Sequence, residues 1–195
     1  MEVKVFTGGL LQAPVDTVVV GIFEGTGILG NGAAKVDKAL DGAISKLVES
    51  GELTGKHGDF VLLHTFGRLA ASKVAVVGLG KVGDWSLERL RRIAGETGRS
   101  LRRARTRKAG LEVLGAGVNG VSLESASWAV TEGMVMGLYV FRKYLTRDAD
   151  EKAVEELLLV NEDPSRTVEV EGGCRLGQVL ADAVNRARDM VNEPA

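Results

Sequence analysis

Thr17-Val-Val-Val-Gly-Ile-Phe23, then Gly25-Thr-Gly-Ile-Leu-Gly-Asn-Gly32, then Val36, Leu40, Ala43, Ile44 and Leu47, is the stretch that decides the fold. The first run is apolar at successive positions and rich in β-branched residues, so it reads as a strand buried on both faces. The glycines after it mark a loop. The apolar residues beyond recur at i, i+3 and i+4, the stripe of an amphipathic helix, and Gly51 supplies its C-terminal cap. A doubly buried strand feeding a helix through a loop is the building unit of an α/β sandwich.

The same alternation continues in both directions. Val3-Lys-Val-Phe6 precedes it as a strand. Phe60-Val-Leu-Leu-His-Thr-Phe66 and Lys73-Val-Ala-Val-Val-Gly78 read as a hairpin. After Ser86 a helix places Leu87, Leu90, Ala94, Thr97, Leu101 and Ala104 along one seam, and Leu111-Glu-Val-Leu114 is a short strand. A helix over 123–145 is apolar almost all round, which places it between packed layers. A last strand covers 154–160. A closing helix carries Leu176, Val179, Leu180, Ala183, Ala187, Met190 and Val191 at helical spacing before Pro194 stops it. The expectation is one α/β domain, a three-layer α/β/α sandwich around a central mixed sheet.

Composition fits that reading. The chain has 195 residues, 45% hydrophobic and 26% charged, with net charge −1, room for one good core. Its 26 glycines accompany only 3 prolines, so they serve turns and close packing rather than a low-complexity tract. The single Cys174 has no partner for an internal disulfide, and two histidines leave little for a zinc site. The start, Met1-Glu-Val-Lys-Val-Phe6, lacks the apolar core of a secretory signal, and no run approaches the ~20 apolar residues of a membrane span. A cytoplasmic chain is expected.

Motifs with chemical meaning are few. Gly78-Leu-Gly80-Lys-Val-Gly83 follows a strand as a dinucleotide fingerprint does. However, its helix begins late, near Ser86, and the next strand ends in Gly115-Ala116 rather than in an acid for ribose hydroxyls. It reads as a tight turn. The 25–32 loop could cradle an anion, but a helix start needs turn residues in any case. Cys174, read as lying at the start of a helix, has no histidine near it in sequence. His57 and His64 lack a zinc-type motif, and Glu132 is a lone acid in an apolar helix. All four read as structural.

Charge is strongly polarised. Residues 86–108 hold nine basic and two acidic side chains, a net +7, and residues 148–171 hold nine acidic and two basic ones, a net −7. At 3.6 residues per turn, Arg92, Arg99 and Arg103 lie opposite the Leu87/Leu90/Leu101 seam, facing solvent or a partner. Three readings stand: a solvated face, attraction between basic and acidic patches of sibling subunits, or contact with nucleic acid. The near-zero net charge argues against the third.

Several segments, in order, resemble the amino-terminal domain of the leucine aminopeptidase (cytosol aminopeptidase) family. They are Glu24-Gly-Thr-Gly-Ile-Leu-Gly30, Gly51 with Gly55-Lys56 and Gly58, Val76-Val-Gly-Leu-Gly-Lys81, Glu132-Gly-Met-Val-Met-Gly-Leu-Tyr-Val-Phe141, and the ending Ala187-Arg-Asp-Met-Val-Asn-Glu-Pro-Ala195. The ending resembles the family's linker into a catalytic domain. The resemblance implies a non-catalytic, macro-domain-like domain over 1–187 and the start of a linker over 188–195. It also implies a parent metallo-exopeptidase with two divalent metals, zinc or manganese, held in a separate carboxy-terminal domain. Partners would be that catalytic domain and sibling subunits of a homo-hexamer, and some bacterial relatives also bind DNA. No residue here receives a catalytic, metal or cofactor role. An exposed apolar surface is expected where the other domain would sit. The likeness to macro domains leaves a nucleotide or ADP-ribose module as the rival reading.

Overall fold

The computed structural model describes residues 1–25, 30–144 and 154–193. Six strands form one mixed sheet: β1 (Glu2–Thr7), β2 (Thr17–Phe23), β3 (Phe60–His64), β4 (Lys73–Gly80), β5 (Lys108–Glu112) and β6 (Glu156–Asn161). Their spatial order is β1-β6-β5-β2-β4-β3, and every neighbouring pair is parallel except β3–β4. The doubly buried run at β2 therefore lies inside the sheet, between β5 and β4. The 60–66 and 73–78 segments do form an antiparallel pair.

Strand alternation divides the core in two. Val18, Val20, Ile22, Val74, Val76 and Leu158 face α1 (Asn31–Ala39) and α2 (Ala43–Glu49). Val19, Ala75, Val77, Leu111, Leu157 and Leu159 face α3 (Leu87–Arg103), α4 (Leu123–Leu138) and α5 (Thr167–Asn192). This is the expected three-layer α/β/α sandwich.

Four boundaries, in the helices and at β5, differ from the sequence expectation. The single helix expected around 36–47 is two, because Asp37 is buried at the break. Its Oδ1 accepts from the amides of Ile44 (2.7 Å) and Ser45 (3.1 Å), and its Oδ2 from the Ser45 hydroxyl (2.6 Å). That carboxylate caps α2 after the chain reverses through Asp41 and Gly42, at φ 53° and 76°. Second, β5 begins at Lys108 rather than Leu111, since Ala109 and Gly110 pair with both β2 and β6.

Third, α4 stops at Leu138, and Tyr139 turns to an extended backbone. Its hydroxyl donates to Asp189 Oδ1 (2.8 Å), and the Arg188 guanidinium sits 5.5 Å from its ring centre. Residues 139–144 thus run beside the end of α5, and Leu145, the expected helix end, lies outside the described residues. Fourth, α5 starts at Thr167, so Cys174 is inside a helix and not at its beginning. Gly173 and Gly177 within it are packing points. A Cβ at Gly173 would sit 2.2 Å from the Glu124 carbonyl oxygen, and one at Gly177 2.6 Å from that of Trp128. Only hydrogen lets α5 approach α4 so closely. The 187/188 boundary falls within α5, and Pro194 lies outside the described residues.

Candidate functional site

Three strands end side by side beneath the start of α1, and their ends make a concavity. Phe23 closes β2, Leu79 lies near the end of β4, and Glu112 closes β5. Together with Val113, Leu114 and Val118 they bound a cleft of about 240 Å³. A cleft at the carboxyl ends of parallel strands is where open α/β sheets place ligands. Trp85 stiffens one side: its ring meets Phe23 edge-on at 5.0 Å, and its Nε1 donates to the Gly115 carbonyl (3.1 Å).

Glu112 is the charged group that lines this cleft. It lies against the first turn of α1, so close that a Cβ on Gly32 would stand 2.5 Å from Oε2. Burial pushes its carboxyl above the ordinary range and the Glu162 charge adds to this, while Lys35 and the Gly32 amide oppose it. Its Oε1 is shut off from solvent and has no hydrogen-bond partner among the described residues. Gly30 is the N-cap of α1 and has no side chain to cap it, and the Gly32 amide donates to the Glu112 carboxylate instead. Sequence reading set Glu112 inside the strand Leu111–Leu114 and gave it no role. Only the fold sets it against a helix start.

The residues singled out by motif are scattered. Gly78 and Gly80 belong to β4 itself rather than to a turn, and they take the 55–59 loop against the strand. The Gly80 amide donates to the Gly55 carbonyl (2.8 Å) and the Gly78 amide to that of Asp59 (2.9 Å). Residues 26–29 of the 25–32 loop lie outside the described residues. His57 pairs with Glu96 (3.0 Å), and His64 sits at the exposed end of β3 beside Phe66. Cys174 is buried, and burial pushes its thiol up, away from nucleophilic thiolate. Glu132 accepts from Arg91 Nε (2.7 Å), whose guanidinium also lies over Trp128 at 5.3 Å, so it pins α4 to α3. Among the described residues no group of three or more His, Cys, Asp or Glu side chains could hold a metal ion.

Arg92, Arg99 and Arg103 all lie exposed on the outer side of α3, with no carboxylate paired to them among the described residues. Part of the charge polarity is settled inside the chain. Arg107 meets both carboxylate oxygens of Glu155 (2.9 Å each), and Lys108 meets Glu156 (2.9 Å), where β5 lies beside β6. The outer side of α5 is different. Leu176 (46% exposed), Val179 (60%), Met190 (80%) and Val191 (84%) face away from the core, with Leu180 and Val184 between them. At 1.5 Å per residue this apolar stripe is about 22 Å long. No helix of the described residues is long and apolar enough to cross a membrane.

Comparison with known proteins gives the chain relatives. The cytosol aminopeptidase family, N-terminal domain, matches residues 19–148. A probable cytosol aminopeptidase of Alkaliphilus metalliredigens is 32% identical over 196 residues, covering 100% of this chain and 39% of the relative. One of Acidithiobacillus ferrooxidans is 36% identical over 182 residues, covering 92% of this chain and 36% of the relative. The chain thus spans about two fifths of the length of the relatives it matches. Among solved structures, a tomato leucine aminopeptidase variant superposes with a TM-score of 0.78 at 19% identity, over 100% of this chain and 39% of that one. A Trypanosoma brucei macrodomain in complex with ADP superposes at 0.65 and 15% identity, over 89% and 69%. These two likenesses concern the fold alone.

Proposed function

This chain belongs to the cytosol aminopeptidase family as its N-terminal domain, and on that premise we propose that it is the non-catalytic scaffold of a metal-dependent aminopeptidase. The parent would release amino-terminal residues, leucine among them, from peptides in the cytoplasm. Two divalent metals, zinc or manganese, would be held by a catalytic domain outside this chain, and the assembly would be a homo-hexamer. The division proposed is 1–187 for the scaffold and 188–195 for the start of the linker.

The observation that carries this reading is the outer stripe of α5. Six apolar side chains, Leu176, Val179, Leu180, Val184, Met190 and Val191, are a third or more exposed along one helix. A contiguous apolar patch of that kind marks a contact surface. Its place on the last described helix suits docking against the rest of the parent. The test is an assay of leucyl-peptide cleavage with zinc or manganese. The 195-residue chain should give none, and the parent made at its relatives' length should cleave. Cleavage by the chain alone would overturn the reading. In the parent, Val179→Asp with Leu180→Asp should lower the assembled mass in light scattering.

A second reading, a macro-like nucleotide module, is favoured by the cleft at the ends of β2, β4 and β5. A macrodomain of similar fold is described in complex with ADP. Calorimetry with ADP-ribose separates the two, since the scaffold reading expects no heat from it.

A further inference from the structure

The sheet has two free edges, β1 and β3, and only one of them is guarded. At the β1 edge Lys4 stands between Glu2 (2.9 Å) and Glu156 (3.0 Å), so charge discourages another strand from pairing there. The β3 edge runs Phe60-Val-Leu-Leu-His64, with no lysine, acid or proline in it. All five of its side chains are at least part exposed, whereas β4 beside it is buried from Val74 to Gly80. An apolar edge left open in this way is a template for another strand.

The backbone fixes which groups that edge offers. Across the β3–β4 pair the Gly78 amide donates to the Asp59 carbonyl (2.9 Å) and the Thr65 amide to the Ser72 carbonyl (3.0 Å). Antiparallel ladders alternate, so Val61 and Leu63 also turn their polar groups toward β4, while Phe60, Leu62 and His64 turn theirs outward. The amides and carbonyls so directed meet no backbone partner among the described residues. Set antiparallel to itself about a two-fold axis at Leu62, the edge is self-complementary. Leu62 then exchanges a pair of hydrogen bonds with Leu62 of the second copy, and Phe60 does so with its His64. Val61 meets Leu63 on the other face, so both faces join apolar to apolar. Further along the same register Phe66 comes opposite Gly58 of the second copy. Phe66 is 91% exposed, and a Cβ on Gly58 would have nothing within 4 Å, so the ring finds open room there.

We propose that β3 is a dimerisation edge, through which two copies of this chain pair β3 to β3 and join their six-stranded sheets into one. A second copy is the occupant because the pairing closes on itself: it consumes both open edges and leaves only the charged β1 edges at the ends. The area sets its strength. Phe66 can bury about 200 Å² in each copy, and with the flanks of the strand the total is on the order of 1,000 Å². That suffices for a specific but weak dimer, dissociating on the order of 10–100 µM. Helix α5 packs at the opposite edge of the sheet, where Cys174 and Val179 lie beside Val3 and Val5. The two surfaces are therefore separate, and the pairing stands independently of the proposed function.

The test is analytical sedimentation of the 195-residue chain carrying Val179→Asp and Leu180→Asp, which silences the α5 stripe. A monomer–dimer equilibrium is expected between about 1 and 300 µM. Adding Leu62→Lys or Leu62→Glu sets like charges face to face on the two-fold axis and should weaken the dimer about tenfold or more. An equimolar mixture of those two variants should restore it, a rescue that misfolding cannot give. Leu62→Cys probes the same register without a charge in the strand. Its Cα would lie about 5.5 Å from its mate, within disulfide range, whereas Leu63→Cys would lie about 7–8 Å from its own. Mild oxidation should therefore link Leu62→Cys into a covalent dimer and leave Leu63→Cys unlinked, with the native Cys174 buried. A chain that stays monomeric to about 300 µM, a dimer indifferent to both charges, or equal linking of the two cysteine variants would overturn the proposal. Peptide cleavage enters none of these readouts, so a failure here is distinct from a failure of the aminopeptidase reading.

Discussion

Helices α3 and α5 flank α4 in the same layer and meet it in the same way, yet their outer faces are opposites. Both seams are backbone-tight. A Cβ on Gly133 would lie 2.3 Å from the Arg91 carbonyl oxygen on the α3 side, and one on Gly177 2.6 Å from that of Trp128 on the α5 side. Outward, α3 shows Arg92, Arg99 and Arg103 to water, whereas α5 shows valines, leucines and a methionine. The inner faces are fixed by how closely backbones can pack. The outer faces differ in what they give to water: α3 presents charge, and α5 leaves exposed the apolar stripe that the proposed function assigns to a partner.

That contrast can be broken first at its shared feature. Gly177→Val should be the most damaging change, because the new side chain meets backbone that cannot yield. Forcing α5 from α4 should cost about 3 kcal/mol in urea unfolding. A loss below roughly 0.5 kcal/mol would mean the seam is looser than its geometry. Glu132→Ala comes next. It removes the Nε bond of half-buried Arg91 and leaves it only its contact with the exposed Glu88, and about 2 kcal/mol should be lost. The analogous change on the outer face, Arg99→Ala, should stay within about 0.5 kcal/mol.

The smallest effect on stability should come from Val179→Asp on the outer face of α5, again within about 0.5 kcal/mol for the chain alone. Its effect should appear in self-association by light scattering, which should fall, while Arg99→Ala leaves it unchanged. Equal responses of the two outer faces would erase the distinction drawn between them.

Much of this architecture was legible along the chain. The doubly apolar run at 17–23 is the interior strand β2, and Ser86 caps α3, accepting from the Arg89 amide (3.3 Å). The α5 spacing from Leu176 to Val191 was also visible, but not its direction. Apolar periodicity reports that a face is uniform, not that it is buried, and here Gly173, Gly177 and Ala181 take the inner side. The split of α1 from α2 escaped for a related reason. Asp37 reads as a solvated helix residue until its carboxylate is seen capping Ile44 and Ser45.

The candidate site was the least legible part. The glycines of 78–83 drew attention as a motif, yet they serve the contact of β4 with the 55–59 loop. Glu112 carried no motif, and its role depends on β5 ending beneath α1, residues 80 positions apart in the chain.

The sequence by itself determined the class of fold and the family, because hydrophobic period and the order of glycine segments are local properties of the chain. Only the tertiary structure decided which face of α5 is bare, which acid stands at a helix start, and which charges cancel across β5 and β6. Those outcomes depend on which backbones touch, and that is settled by packing between residues far apart in sequence.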